Sequence, residues 1–162
     1  MQNIFANTKF LEREQKYFQT VWNTLGRSGN ARIFTAQHTT NLIGAYLVVN
    51  DRRCAYELYG GVTRAGRVVE AGYLLKWEAM RYYNSLGMQF YDHWGVAPQN
   101  EAGEYDAKDE LYQISRFKAG FGGSYVAFPG AKVLVISEPK YRLFLAGQKV
   151  QQLKTKLAKL LK

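Results

Sequence analysis

The sequence predicts a mixed α/β fold of the α+β kind, in which a mixed but mostly antiparallel sheet is flanked by helices. Runs rich in β-branched and aromatic residues alternate along the chain with segments whose apolar residues recur at helical spacing. Twelve Tyr, nine Phe and three Trp favour a substantial core with aromatic-lined surfaces. The length of 162 residues suits one domain, so we expect residues 1–162 to form a single unit.

The first half of the chain is predicted to hold one helix and three strands. Apolar residues at helical spacing predict a helix over 8–25 that ends at Gly26. Three runs rich in β-branched and aromatic residues predict strands over 31–37, 42–49 and 54–59. The polar tetrapeptide 50–53 predicts a hairpin turn between the second and third strands.

The second half is predicted to continue helix, strand, helix, two strands, helix. The helix over 69–86 closes at Gly87, and a short strand follows over 88–94. The polar stretch 98–107 predicts a loop, after which Asp109 caps a helix that reaches 118. A hairpin is predicted over 124–128 and 132–137, and Pro139 opens the last helix. From the second helix onward, this order resembles the GNAT acyltransferase fold.

The net charge of +9 is large for this length and indicates an anionic partner, either nucleic acid, a phosphate-bearing precursor or a membrane surface. The charge is uneven, because the last helix, predicted over 138–162, carries seven basic residues and one acidic residue. Its apolar residues repeat at alternating spacings of three and four, which is typical of a packing seam. These seam residues are Leu143, Ala146, Val150, Leu153, Leu157 and Leu160.

Cysteine content and hydropathy favour a soluble, cytoplasmic protein. The single cysteine, Cys54, excludes an internal disulfide framework and lies in a predicted strand, where a buried thiol is expected. The first twenty residues lack the apolar core of a signal peptide, and the longest apolar run, 42–49, is too short to span a bilayer.

One lysine stands out by its position. Lys118 ends an apolar, aromatic helical segment and is followed by a glycine-rich turn, in the run Phe117-Lys118-Ala119-Gly120-Phe121-Gly122-Gly123. The residues alone also allow a lysine whose apolar stem covers the core while its amine reaches water. Upstream, Tyr91-Asp92-His93-Trp94 ends a predicted strand. These side chains suit either a general base that orients an amine or a structural core with a buried carboxylate.

Five blocks together carry a family resemblance over residues 42–141. The chain resembles the Fem family, the aminoacyltransferases that build peptidoglycan interpeptide bridges from aminoacyl-tRNA. The blocks follow the family's order: Ala45-Tyr46-Leu47, Tyr59-Gly60-Gly61, Gly72-Tyr73-Leu74-Leu75-Lys76-Trp77-Glu78-Ala79, Tyr91-Asp92-His93-Trp94-Gly95 and Arg116-Phe117-Lys118-Ala119-Gly120-Phe121-Gly122-Gly123.

The resemblance implies a site around the Phe-Lys pair. It assigns a catalytic role to Lys118, whose ammonium would stabilise the oxyanion of the transition state, and makes Phe117 the aromatic residue that positions the acceptor end. Gly122 belongs to the glycines that let a tRNA end approach the backbone. The third catalytic candidate is Asp92, and Tyr59 and Tyr91 are substrate-binding candidates. We expect no metal site, since His93 and His38 stand apart in the sequence and no cysteine cluster supports them.

The segment from the third strand into the next helix bears on coenzyme A. A GNAT acetyltransferase would hold pyrophosphate here on backbone amides, and Arg64 and Arg67 would add charge. However, residues 64–68, Arg-Ala-Gly-Arg-Val, lack the glycine spacing of the coenzyme-A signature. Loss of coenzyme A is also what the Fem resemblance implies, so we expect no cofactor. An ordinary loop with solvated arginines remains the alternative.

The sequence therefore predicts the C-terminal GNAT-like half of a Fem-type transferase. Its expected partners are aminoacyl-tRNA, a UDP-linked or lipid-linked peptidoglycan precursor, and a separate first domain or a second copy of the chain. Lys154, Lys156 and Lys159 of the last helix are candidates for contacts with the tRNA backbone, whereas the same helix also suits an anionic membrane surface. Two other classes stay open: an acyl-coenzyme-A N-acyltransferase, and a noncatalytic tRNA-binding or partner-binding module.

Overall fold

The computed structural model describes the backbone of residues 15–160 and the side chains of residues 16–154. The chain divides into two compact units between Gly123 and Ser124. The first unit holds the sheet and most of the helices, and the second holds the last helix. Among the described residues, no helix combines the length and apolar content needed to cross a bilayer.

Five α-helices and four β-strands make up the described chain. In order they are α1 (Gln15–Val21), which continues as a π-helical turn (Trp22–Gly26), β1 (Ala31–His38), β2 (Asn41–Asn50), β3 (Cys54–Val62), α2 (Arg64–Val68), α3 (Ala71–Ser85), β4 (Phe90–Asp92), α4 (Tyr112–Ala119) and α5 (Glu138–Leu160). The predicted first helix is confirmed over its described part. Its residues 8–14 lie outside the described residues.

The sheet has the order β1-β2-β3-β4, with antiparallel pairing between the first three strands and parallel pairing between β3 and β4. The predicted hairpin turn is confirmed, because the Asp51 carboxylate accepts hydrogen bonds from the amides of Arg53 at 2.7 Å and Cys54 at 2.8 Å. The parallel pair is joined by α2 and α3. The predicted mixed, mostly antiparallel sheet with flanking helices is thus confirmed.

A β-bulge in β3 decides which side chains share a face. Leu47 pairs with Tyr59 and Val48 pairs with Glu57, so Leu58 is an extra residue on its strand. Because directly opposed residues point to the same face, Glu57 lies on the face of Val48 and Tyr59 lies on the face of Leu47. Without the bulge, the period of two would put Glu57 and Tyr59 on one face.

Helix α3 covers the Val48 face and forms the core with it. Tyr46, Val48 and Ala55 from the sheet pack with Leu75, Ala79 and Tyr83 from the helix. The helical residues recur every four positions, so they form one apolar stripe. Burial of each large side chain stabilises the fold by about 1.5–3 kcal/mol.

The helix before β4 starts earlier than the pattern predicts and is broken. Thr63 caps α2, since its hydroxyl accepts a hydrogen bond from the Gly66 amide at 3.1 Å. Glu70, with a left-handed φ of 53°, then separates α2 from α3. Gly66 packs tightly on β2, because a Cβ there would lie 2.3 Å from the Ile43 carbonyl oxygen. The close approach of the Gly66 backbone to β2 therefore positions α2. The spacing of apolar residues does not predict this short helix.

The predicted hairpin over 124–137 is wrong, since these residues form no strand. Their apolar side chains stay exposed, with 78% of Phe128 and 93% of Ile136 accessible to solvent. Strand propensity reflects packing against a neighbouring strand, and within the described residues this segment has none. The later prediction of a long last helix is confirmed in the described residues, with Pro139 in the first turn of α5.

The two remaining elements differ mainly in length. The strand predicted over 88–94 shortens to β4, and the stretch 98–107 is a loop, as predicted. Helix α4 begins three residues after Asp109, whose carboxylate accepts a hydrogen bond from the Leu111 amide at 2.8 Å. The predicted N-cap at Asp109 is therefore wrong, since Leu111 is the N-cap residue, and Asp109 instead orders the turn before α4.

Candidate active site

The candidate site lies where β3 and β4 part. Their parallel pairing covers Cys54 with Phe90, Ala55 with Tyr91 and Tyr56 with Asp92, and no further pairing follows. The next residues on the two segments are Glu57 and His93. Their side chains meet at Lys76 of α3 instead of through backbone bonds.

Lys76 is fully buried and joins these side chains. Its Nζ donates to Glu57 Oε2 at 2.7 Å and lies 3.1 Å from His93 Nδ1. The Tyr91 hydroxyl donates to the same carboxylate oxygen at 3.0 Å. Glu57 therefore accepts two hydrogen bonds at one oxygen, which satisfies a carboxylate that is itself buried.

Three aromatic rings surround the Lys76 ammonium. The ring centroids of Tyr46, Phe117 and Phe121 lie 5.5 to 5.6 Å from its Nζ. At such distances the ring faces attract a cation. Phe117 also packs edge-on against Tyr73, with centroids 4.8 Å apart. The predicted site residue Phe117 thus forms an aromatic wall around Lys76 together with Tyr46 and Phe121.

Lys118 lies in the last turn of α4 and is only 8% exposed. Its Nζ donates to the Gly95 carbonyl at 2.7 Å. Burial, followed by the charge of Lys76, lowers the pKa of Lys118 to about 8. The amine is therefore mostly protonated at neutral pH but loses its proton much more readily than a solvated lysine.

The predicted glycine turn directly follows this lysine. Gly122 and Gly123 have φ values of 77° and 98°, which L-residues with side chains rarely adopt. The amides of Phe121 and Gly122 bond back to the carbonyls of Lys118 and Ala119. The turn ends α4 and leaves exposed backbone beside Lys118.

His93 is neutral in this cluster. Burial, then the charges of Lys76 and Lys118, lowers the pKa of His93 to about 4. A neutral ring with its proton on Nε2 leaves Nδ1 free to accept a hydrogen bond from Lys76 Nζ, 3.1 Å away. Among the described residues, no group of His, Cys, Asp and Glu side chains could hold a metal ion.

Asp92 acts on the backbone that faces Lys118. Its Oδ1 accepts a hydrogen bond from the Trp94 amide at 2.7 Å, and Trp94 has a left-handed φ of 64°. Gly95, the next residue, supplies the carbonyl that binds the Lys118 amine. A non-glycine residue in this conformation is strained, and such strain clusters at functional sites. The carboxylate thus helps to hold the turn that positions Lys118.

The structure brings together four of the predicted site residues and separates the others. Two of them contact the group around Lys76: Tyr91 through Glu57, and Phe117 through its ring. Asp92 and Lys118 hold the adjoining turn at Trp94 and Gly95. Gly122 follows α4. Tyr59 lies on the opposite sheet face, where its hydroxyl lies 3.1 Å from that of Tyr17. Arg64 and Arg67 are exposed on α2, and Lys154 is exposed on α5. The side chains of Lys156 and Lys159 lie outside the described residues.

Sequence reasoning missed Lys76 and Glu57 as site residues. Lys76 falls within the apolar stripe of α3, next to Leu75 and three residues before Ala79. Glu57 follows Ala55 by two residues, which is the period of a buried strand face. The available signal was a pair of opposite charges at core positions of β3 and α3.

A surface cleft of about 360 Å³ is lined by residues of the loop after β4: Pro98, Gln99, Asn100, Glu104, Tyr105 and Asp106. It shares no residue with the Lys76 cluster. The cleft is therefore separate from the residues around Lys76 and Lys118, and its shape alone does not identify it as the active site.

Comparison with known proteins identifies related sequences. The model of the FemAB family matches residues 6–149 of the chain. The chain is also similar to the aminoacyltransferase FemA of Staphylococcus aureus strains MW2 and COL, at 26% identity over 92 residues. That alignment covers 57% of the chain and 21% of each FemA protein. The chain thus spans about a fifth of the length of these relatives.

Proposed function

Because the chain belongs to the FemAB family, we propose that it forms the transfer half of an aminoacyltransferase that modifies the stem peptide of a peptidoglycan precursor. The proposed donor is aminoacyl-tRNA. The observation that carries this proposal is the buried Lys118 amine beside Phe117 and the glycine turn. An ammonium in such a dry position interacts strongly with a negative charge that develops next to it.

The proposed reaction needs a fixed positive charge and no enzyme-bound intermediate. The acceptor amine attacks the ester carbonyl of the aminoacyl-tRNA, forming the new C–N bond. The ester C–O bond then breaks, the tRNA hydroxyl leaves, and the amine proton passes to that leaving oxygen. The Lys118 ammonium stabilises the oxyanion between these steps. The exposed backbone at Gly122 and Gly123 gives the donor end access to it.

The precursor is proposed to need a second structural unit. The Fem family resembles two GNAT domains in tandem, in which the first mainly holds the diphosphate of the precursor. We propose that these 162 residues correspond to one such unit, and we infer that transfer requires a first domain from the same or another polypeptide. Donor binding is assigned to this chain, whose charge suits a phosphate backbone.

An acyl-coenzyme-A transferase is disfavoured by the segment before α3. The Gly66 amide donates to the Thr63 hydroxyl and the Arg67 amide donates to the Thr63 carbonyl, so both are already used within the chain. Amides that bind pyrophosphate must point to the ligand. Titration calorimetry with acetyl-coenzyme A is expected to give no saturable binding at micromolar concentrations. A clear micromolar site would favour the acyltransferase instead.

A transfer assay with charged tRNA and precursor tests the proposal, run with the chain alone and with an added Fem first domain. Replacing Lys118 with Met retains the apolar stem and removes the charge, so the rate should fall by about two to three orders of magnitude. The matched control is Lys108→Met, at an exposed lysine of the first unit, which should change the rate little. Parental transfer by Lys118→Met would refute the catalytic assignment, and turnover by the lone chain would refute the need for a first domain.

A further inference from the structure

We propose that Lys76 is a positioning residue for Lys118: its buried ammonium joins the parted ends of β3 and β4 to Phe117 of α4 and places a fixed positive charge in the cluster beside the helical turn that carries Lys118. The inference deepens the proposed function, on which it rests only for the role given to Lys118. Nothing in the proposed transfer step itself uses Lys76.

The contacts of Lys76 span three elements around the site. Through Glu57 it holds β3, through His93 it holds the segment after β4, and through the Phe117 ring it contacts α4. Phe117 directly precedes Lys118 in the sequence. Movement of the Lys76 side chain would therefore be felt both at the parted strands and at the helical turn that carries Lys118.

Packing alone does not explain a charge at this position. Lys76 is fully buried in the stripe of α3 that otherwise packs apolar residues, and a Met would fill a similar volume without desolvating an ion. A buried ion pair often gives no net stability over an apolar pair of similar volume. The positive charge of Lys76 therefore indicates a role other than packing.

The groups that face the Lys118 amine have opposing effects on it. Lys76 from α3 lowers the pKa of Lys118, while Glu57 from β3 and Asp92 from β4 raise it. Neutral His93 lies beside Lys76, and the Gly95 carbonyl accepts the Lys118 proton in a hydrogen bond. Burial lowers the pKa further and is the largest cause. Removing the Lys76 charge should therefore raise the pKa of Lys118.

The experiment measures the reactivity of the Lys118 amine directly, without needing transfer activity. The whole chain is labelled with trace acetic anhydride from pH 6 to 11, and modification of Lys118 is quantified by mass spectrometry. Only the neutral amine reacts, so the wild-type midpoint should lie near pH 8, the pKa given by its surroundings. In Lys76→Met the midpoint should rise by about one pH unit, a tenfold change in the ionisation constant.

Three further variants make the result specific. Lys76→Met combined with Glu57→Gln removes both charges and avoids an unpaired buried carboxylate. Its midpoint should rise by less than in Lys76→Met, because Lys76 lowers the pKa of Lys118 and Glu57, the smaller cause, raises it. Lys76→Arg keeps the charge and should keep the midpoint near that of the wild type. Arg81→Met removes an exposed charge from the same helix and should have no effect.

An unchanged midpoint in folded Lys76→Met and in the double variant would overturn the proposal. Failure of both variants to fold would also overturn it, because it would show that Lys76 is needed for structure. Where transfer is measurable, its decline at high pH should move with the labelling midpoint, since the proposed reaction uses protonated Lys118. Absence of transfer would count against the proposed function and leave the labelling result intact.

Discussion

Lysines occupy two contrasting environments in this chain. Lys76 and Lys118 are buried in the first unit, where carboxylate, carbonyl and aromatic groups surround them. The lysines of α5 in the second unit, such as Lys149 and Lys154, are exposed to solvent. The same side chain therefore has a defined position and a shifted pKa in one region and acts as a screened surface charge in the other.

The difference shows which charges suit chemistry and which suit long-range attraction. A charge in a dry environment interacts strongly with one neighbouring group, because little water screens it. Exposed charges are screened by salt over about 8–10 Å and contribute mainly as a collective field. Under the proposed function, the net charge concentrated in α5 would serve as a binding surface and the two buried lysines would belong to the reaction site.

Breaking the buried ion pair between Glu57 and Lys76 should give the largest effect. Glu57→Ala leaves the Lys76 ammonium buried without its carboxylate, so the free energy of unfolding should fall by about 3–5 kcal/mol. Urea denaturation of the whole chain, followed by tryptophan fluorescence, measures this loss. Combining Glu57→Gln with Lys76→Met should cost less, since neither charge then remains. A loss below about 1 kcal/mol for Glu57→Ala would contradict a tightly buried pair.

The role of the exposed lysines of α5 is tested through the salt dependence of tRNA binding. Binding of tRNA acceptor arms should weaken by an order of magnitude or more between about 50 and 200 mM salt if several lysines contact phosphates. Changing Lys154, Lys156 and Lys159 together to Gln should flatten that dependence in a mobility-shift series. The control changes Lys16 and Lys108, exposed in the first unit, and should leave the slope nearly intact. Lack of tRNA binding at low salt would remove tRNA as the proposed partner.

Asp92 provides a smaller test of how Lys118 is held. Asp92→Ala removes the hydrogen bond to the Trp94 amide and should reduce transfer by about tenfold, consistent with a loss near 1–1.5 kcal/mol. Asp92→Asn retains an oxygen that accepts the same bond, so most of the activity should return. The two rates, measured side by side, separate positioning from acid–base catalysis. Equal loss in both variants would favour a catalytic carboxylate.

The smallest effect is expected for an exposed ion pair on α5, which serves as the comparison for the buried pair of Glu57 and Lys76. Arg142 Nε lies 3.2 Å from Glu138 Oε1, one helical turn apart on α5, and both side chains are mostly exposed. Glu138→Gln should change the free energy of unfolding by no more than about 0.5 kcal/mol. A loss comparable to that of Glu57→Ala would mean that this pair is shielded from water.

Local chemistry allowed much of the first unit to be predicted from sequence. Runs rich in β-branched and aromatic residues predicted β1, β2 and β3, and the helical stripe with Gly87 predicted most of α3. The glycines after Lys118 predicted the end of α4, because only glycine readily adopts the positive φ found there. These features depend on residues close together in the chain.

The sequence by itself determined the type of sheet and the positions of most helices, and it singled out Lys118 beside Phe117 as a candidate site. Only the tertiary structure decided that a bulge at Leu58 sends Tyr59 to one face and Glu57 to the other, and that Glu57 meets Lys76 there. It also left residues 124–137 without strand partners. The physical reason is that propensity and periodicity act within a few residues, whereas register, desolvation and charge pairing depend on groups brought together from distant parts of the chain.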